Sequence, residues 1–305
     1  MQNKKSVRPS PTALLNPRMD PIFKAIFTQE TQESDKALQS FISSVLGRKI
    51  KNIKLTANEP PVDTEDLMQM SFDVSVTFED GERASIEMQG RNHKYDYPSR
   101  SEIQVARLLN NNAKKGSDYK CEKVYQISVL NFHLPKDDKS EMSWYTMKNQ
   151  KGQELSCYMN VIYIDLLVIK KLVGTPVDKL TPLQRWGLYL SYADDAAQAD
   201  YIKQIAKSDE GIMDADRIVG RMSKEDSNWH LQNSYDIAMR DKNDALRNSK
   251  EEGLKEGLEQ GAQQKAIEAA RAFYGNGASI ELIAKSLKMT EEQVREIVSK
   301  PAPQE

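Results

Sequence analysis

The chain has 305 residues, 29% of them charged, and Lys plus Arg (43) nearly balance Asp plus Glu (45), leaving a formal net charge of −2. That length accommodates one large domain or two smaller ones, each with a real core. The even charge balance excludes a global basic field that would draw the chain onto nucleic acid or membrane, so any such contact must come from a local patch. Cys121 and Cys157 stand far apart without metal-ligand spacing, which implies a reducing, cytoplasmic setting and two small buried thiols.

In chain order, residues 1–17 are basic and proline-containing with no apolar h-region, and read as a disordered arm rather than a signal or anchor. Structure is predicted to begin at MDPIFKAIF. Asp20 before Pro21 reads as an N-cap with proline at the first helical position, and Ile22, Phe23, Ile26 and Phe27 recur at helical spacing. A second helix runs from about Ser34 to Leu46 and stops at Gly47, a C-cap residue. The period then switches to that of strands in IKNIKLT and in the two arms of FDVSVTFEDGERASIEMQG, residues 72–90. A helix from about Pro98 to Lys115, ended by Gly116, and the strand KVYQISVLNF complete a mixed α/β core with one crossover helix.

Further on, MSWYTM and LSCYMNVIYIDL read as strands that extend or flank the sheet, and TPLQRWGLYLSYA as a helix with a Thr-Pro start. The apolar run at 161–169 carries Asp165 and is about half the length a membrane span needs. Residues 195–247 are helix-permissive. In EEGLKEGLEQGAQQK, Gly253, Gly257 and Gly261 recur every fourth residue, and each costs a helix about 1 kcal/mol relative to alanine. Either another helix approaches along that stripe, or the segment is a weakly helical connector. Two short amphipathic helices close the chain, the second opened by a Thr290–Gln293 capping box. They have the outline of a helix-turn-helix half, but the second is acidic at its start, so a folded cap or self-association element is expected rather than a base-reading module.

The hairpin decides what chemistry is available. A two-residue turn at Asp80 and Gly81 would set Asp73 opposite Met88 and mix the faces. A three-residue loop, Glu79-Asp80-Gly81, puts glycine at the left-handed third position and brings Asp73 opposite Glu87, with Gln89 diagonal to them. Directly opposed side chains stand about 5 Å apart at Cβ, where like charges repel. The face is either a solvated polar surface or a site where a hard divalent ion, bound by oxygen ligands, turns the repulsion into affinity.

Asp73, followed fourteen residues on by Glu87 in IEMQ with Gln89, resembles the PD-(D/E)XK nucleases in the version where glutamine replaces the motif lysine. Within them it is similar to the recombination-promoting nucleases, also described as PD-(D/E)XK nuclease family transposases. MDPIFKAIF resembles that family's N-terminal helix, and Arg100 followed by KKGSDYKCEKVYQISVLNF resembles its helix, Gly-x-x-Tyr turn and next strand. The likeness covers roughly residues 18–240, and the glycine-punctuated tail is usual in the group. Gln104 and Asn112 depart from it, standing where the group often has tyrosine and glutamine, which bears on substrate contacts more than on metal binding.

The resemblance implies an α/β, restriction-endonuclease-like PD-(D/E)XK core, a mixed central sheet flanked by helices, with a helical C-terminal extension. The expected division is an arm at 1–17, a nuclease-like domain at 18–240 (core 18–135, extension 136–240), a glycine-punctuated helical linker at 241–272 and a two-helix element at 273–305. It implies a divalent-metal-dependent endonuclease acting on double-stranded DNA in recombination or mobile elements. Asp73, Glu87 and the Met88 carbonyl would hold Mg²⁺ or Mn²⁺, and Gln89 would orient water. A weakly active or inactive DNA-binding or regulatory protein on the same fold is the alternative, and the C-terminal tail is the candidate for self-association.

Two residues of the first helix are accessory candidates: Asp20, as N-cap or extra ligand, and Lys24, as a solvated lysine or a phosphate contact. Arg100, Gln104, Arg107, Asn111 and Lys114 form one polar stripe at helical spacing. With Arg91, His93 and Lys94 it is either a solvated face or the phosphate-binding surface of a chain without net positive charge. His93, His133 and His230 are scattered singly and are not expected to be ligands or bases. No phosphate-cradling glycine loop is present, so nucleotide hydrolysis is not expected.

Overall fold

A computed structural model describes residues 8–57, 72–90, 97–112, 121–134 and 140–299. The elements are α1 (Asp20–Thr28), α2 (Gln32–Leu46), β1 (Ile53–Leu55), β2 (Val74–Phe78), β3 (Arg83–Gln89), α3 (Tyr97–Asn112), β4 (Val124–Leu130), β5 (Met142–Thr146), β6 (Met159–Asp165), α4 (Leu166–Ile169), α5 (Pro182–Tyr192), α6 (Ala199–Lys207), α7 (Glu210–Met222), α8 (Asp226–Gly275), α9 (Ile280–Leu287) and α10 (Glu291–Ser299). Among the described residues the strands form one six-stranded sheet in the order β1-β2-β3-β4-β6-β5. Its centre is parallel, β3 to β4 and β4 to β6, and the remaining pairs are antiparallel. The chain is therefore α/β with a mixed sheet flanked by helices, as expected.

The hairpin adopts the three-residue loop. Val74 pairs with Ile86 and Thr77 with Arg83, a register that carries Phe78 to Glu82 and that, continued one residue past its last pair, would set Asp73 opposite Glu87. Phe78 N–H donates to the Glu82 carbonyl at 2.8 Å, and Gly81 has φ +85°, which a side chain would strain. The ladder ends at Val74. Beyond it the alternation breaks: Phe72 does not follow Val74 and Val76 but packs with Tyr97, Val105, Leu108, Val124 and Tyr163 beneath α3.

Both faces of the central strands are covered. Ser85, Glu87 and Gln89 on β3 are all buried, so of the two readings of this face the solvated surface does not hold. The parallel registers set Glu87 beside Ser128 and Ser128 beside Tyr163, and Tyr97 of α3 donates its hydroxyl to Ser128 Oγ at 3.1 Å. Parallel strands joined by a crossover helix are covered in this way, so their polar residues must find partners inside.

α1 and α2 form as their patterns require. Thr31 Oγ1 accepts from Ser34 N–H, Gly47 ends α2 at φ +65°, and α1 buries Ile22, Phe23, Ile26 and Phe27. Phe27, Phe41 and Trp186 meet at centroid separations of 5.3 to 5.8 Å. The α2–α7 seam is tight: a Cβ on Gly211 would stand 2.2 Å from the Cβ of Ser40. Ser40 Oγ accepts from Trp186 Nε1 and donates to Asp209, whose carboxylate caps α7.

Several expectations change. Residues 8–17 are not a loose arm: Leu15 is fully buried and its N–H donates to Ser223 Oγ, and Asn16 N–H donates to Gln232, because an apolar side chain among polar ones found a seat near α7 and α8. Asp20 is not the N-cap of α1. Met19 holds that place in extended backbone, its carbonyl accepting from Ile22 and Phe23, and Asp20 is already in the first helical turn. Cys121 is only half-buried and Cys157 exposed, since each lies just outside a strand.

The chain divides into two compact units, one ending at Asn233 and one beginning at Ser234. In the second, α8 continues to Gly275 as a single helix through Gly253, Gly257 and Gly261, and among the described residues no other side chain or backbone comes within 4 Å of where a Cβ would stand at any of them. The end of α8 supplies the third helix that α9 and α10 need: Ala270, Ile283, Ala284 and Val294 are buried together. Thr290 and Gln293 make the expected capping box. Among the described residues no helix is long and apolar enough to cross a membrane.

Candidate active site

The site gathers where β2 begins and β3 ends. Asp73, just before β2, takes over the ladder: its Oδ2 accepts from Met88 N–H at 2.8 Å. The N–H and C=O of one strand residue project to the same edge, so the Met88 carbonyl faces the same side as Asp73. Asp73 Oδ1 lies 3.2 Å from Lys24 Nζ, which is also 3.2 Å from Asp20 Oδ2 one turn back on α1.

Glu87 is surrounded from the other direction. Its Oε1 accepts from Gln104 Nε2 at 2.7 Å, and its Oε2 from Gln89 Nε2 and from Arg100 Nη2, both at 3.2 Å. Its side chain is only 1% exposed. α3 delivers these donors because Tyr97, Ser101, Gln104 and Leu108 form its inward row, with Arg100 beside Gln104. The expected polar stripe is thus split. Gln104 is buried and Arg100 turned onto Glu87, while Arg107 is half-buried and the Asn111 carbonyl accepts from Arg83. Arg91, His93, Lys94, Lys114 and the Gly-x-x-Tyr turn lie outside the described residues.

Electrostatics mark the two acids as uncomfortable. Burial raises Glu87 first of all; Arg100 pulls it back and Asp73 pushes it up again, to about 7. Burial likewise raises Asp73, the Met88 N–H opposes this and Asp20 adds to it, leaving Asp73 at about 6. Burial works against the Lys24 ammonium, but Asp73 and Asp20 outweigh it and hold its pKa above the ordinary lysine value. Loss of solvent is thus the main reason that both carboxylates stay hard to ionise between two cations and three amide donors, with their mutual repulsion a smaller one.

The donors fit a hard cation. Asp73, Glu87 and the Met88 carbonyl are all oxygen, as Mg²⁺ and Mn²⁺ prefer. Among the described residues Gln104 Oε1 is a buried acceptor that meets no donor, a place for a proton from an ion's hydration shell. Among the described residues no group of three or more His, Cys, Asp or Glu is arranged to hold a metal, so an ion here would rest on two carboxylates, the carbonyl and water. Elsewhere, His133 Nδ1 is 2.5 Å from Asp165, which caps α4, and His230 is exposed on α8.

The sequence reading missed that Gln104 touches Glu87 and that Arg100 is turned inward onto the same carboxylate. The signal was in the helix itself, since Gln104 sits at the spacing of Tyr97, Ser101 and Leu108. It also gave Asp20 a capping role; the carboxylate instead shares Lys24 with Asp73.

The mixed sheet, its crossover helix and the Asp73 and Glu87-x-Gln89 carried at one end of the hairpin have the arrangement expected of a PD-(D/E)XK nuclease. Residues 17–249 match the family described as PD-(D/E)XK nuclease family transposase, and the chain belongs to that family. No curated protein and no solved structure matches it.

Proposed function

We propose that the protein is a divalent-metal-dependent endonuclease that hydrolyses phosphodiester bonds of double-stranded DNA in the service of a mobile element or recombination. The observation that carries this reading is the convergence of Asp73 and Glu87 at one end of the hairpin, where Asp73 accepts from the Met88 N–H next to Glu87; Glu87 is buried and Asp73 half-buried, and both are held above the ordinary carboxylate range. Asp73, Glu87 and the Met88 carbonyl would hold Mg²⁺ or Mn²⁺, with Asp20 as an accessory carboxylate. The ion supplies Lewis acidity, which makes water a better nucleophile and offsets charge on the phosphate.

The chain's own residues do the rest. Gln89 orients water with its amide, and Gln104 and Arg100 fix the Glu87 carboxylate so that it meets the ion in one geometry. Arg107 lies on the half-buried outer part of α3 and, with Arg91, Lys94 and Lys114, serves the DNA backbone, fixing register without reading sequence.

Supercoiled plasmid incubated with Mg²⁺, Mn²⁺ or EDTA tests this directly. Nicking should require metal and disappear in Asp73→Ala and Glu87→Ala. A second reading, a DNA-binding protein that does not cleave, is favoured by the neutral Gln89 and by cations already seated on both acids. DNA binding without nicking in any metal would select it.

A further inference from the structure

We propose that Lys24 is a catalytic residue of this nuclease, supplying to a non-bridging oxygen of the scissile phosphate the fixed positive charge that Gln89 cannot. The inference rests on the nuclease reading and names the substrate contact within it. A phosphodiester in attack gathers negative charge on its equatorial oxygens, and a preorganised cation aimed there stabilises the transition state. β3 offers none, because the amide of Gln89 is neutral and its nitrogen donates to Glu87.

Among the described residues two cations meet the opposed acids, and their settings differ. Arg100 Nη2 bonds Glu87, which is 1% exposed, so its charge is committed to a buried carboxylate. Lys24 and Arg100 are similarly exposed, 34% and 37%, but the carboxylates that Lys24 meets are open to solvent, Asp73 at 15% and Asp20 at 50%, where Glu87 is at 1%. An arriving phosphate and its ion would take over the Asp73 oxygen that Lys24 now touches, leaving the ammonium beside the phosphate and still within reach of Asp20.

The helix holds Lys24 for this task. Ile22, Phe23, Ile26 and Phe27 anchor α1 from its other side, and Thr28 Oγ1 donates to the Lys24 carbonyl at 2.8 Å. A lysine on a pinned helix loses less freedom on meeting its ligand than one on a loop. In the reaction, water adds to phosphorus and one P–O ester bond breaks. The attacking water gives up a proton, the departing oxygen gains one as a hydroxyl, and Lys24 stays protonated throughout as a hydrogen-bond donor.

Two measurements on the full chain test the proposal. With Ca²⁺ in place of Mg²⁺ and the duplex shown by gel to stay intact, binding of a short DNA duplex by Lys24→Gln should lose one phosphate contact, lowering the slope of log K against log salt by about 0.9. Lys203→Gln, on α6, should leave the slope alone, and an unchanged slope for Lys24→Gln overturns the proposal. In Mg²⁺, Lys24→Gln should slow single-turnover nicking about a hundredfold or more at every pH, and Lys24→Arg should recover much of it. Full recovery of Lys24→Gln at raised pH would mean that Lys24 only keeps Asp73 ionised, and overturns it too. If the wild type shows no Asp73-dependent nicking, the nuclease reading fails on its own, and the salt slope still decides whether Lys24 meets phosphate. A melting curve of each variant confirms that the fold is kept.

Discussion

The two compact units use small and polar residues in opposite ways. In the first, Glu87 and Gln104 are buried against each other, and Gly211 is glycine because Ser40 leaves no room for a Cβ. In the second, α8 passes Gly253, Gly257 and Gly261 through open space, and its neighbours Leu254 and Leu258 are 64% and 66% exposed. The same residue type is a packing requirement in one unit and a helix penalty without a packing return in the other. Spacing alone does not say which; the seam against a second element does.

The largest expected effect tests whether the chemistry belongs to the first unit. Glu87→Ala should lower metal-dependent nicking about a thousandfold or more, the loss of several kcal/mol of electrostatic stabilisation, measured on plasmid. Removing residues after Lys250 keeps the whole family-matched segment, 17–249, and should leave nicking within a few-fold of the full chain. A collapse on truncation would break the contrast.

The buried acids also give a stability signature that the second unit lacks. Glu87 titrates near 4.5 when unfolded and about 7 when folded, so between those values the folded chain keeps a proton the unfolded chain has lost. Its contribution is full below about 4.5, falls as pH rises toward 7, and changes no further above; Asp73 acts the same way up to about 6. Urea midpoints in EDTA should therefore drop from pH 5 to pH 8 in the wild type. Glu87→Gln should flatten that drop by up to about 3 kcal/mol while abolishing cleavage, stabilising at pH 8 what it disables. Nicking runs the other way, rising with pH as the acids ionise and bind metal. Equal pH dependence in wild type and Glu87→Gln would remove burial as the cause.

Smaller effects separate the glycines. Gly211→Ala forces Ser40 aside and should cost about 1 to 3 kcal/mol in the urea midpoint. Gly253→Ala, Gly257→Ala and Gly261→Ala meet nothing, so each should make α8 more stable by about 1 kcal/mol, read as increased helix content by circular dichroism. Loss of helix in any of the three would show that another surface covers the stripe.

Much of the fold was legible because it is written locally. Thr31 and Gly47 bound α2, Thr181 with Gln184 opens α5, and Gly81 selects the loop that sets Asp73 against Glu87. The candidate site was legible as far as the hairpin extends. Lys24 was legible as an accessory candidate, but the seating of Arg100 and Gln104 on Glu87 was not, because a polar residue on a helix reads as solvated until a neighbour covers it. The same blindness made residues 8–17 look unstructured, although Leu15 lies buried near α7 and α8.

By itself the sequence determined the hairpin register, and with it which two acids meet, since backbone sterics at one glycine fix the count of loop residues. Tertiary structure alone decided that Glu87 would be buried and Asp73 half-buried, that they would be paired with Lys24, Arg100 and Gln104, and that both would be hard to ionise. Desolvation and Coulomb interactions depend on what lies within a few ångströms in space, and chain order does not encode that distance.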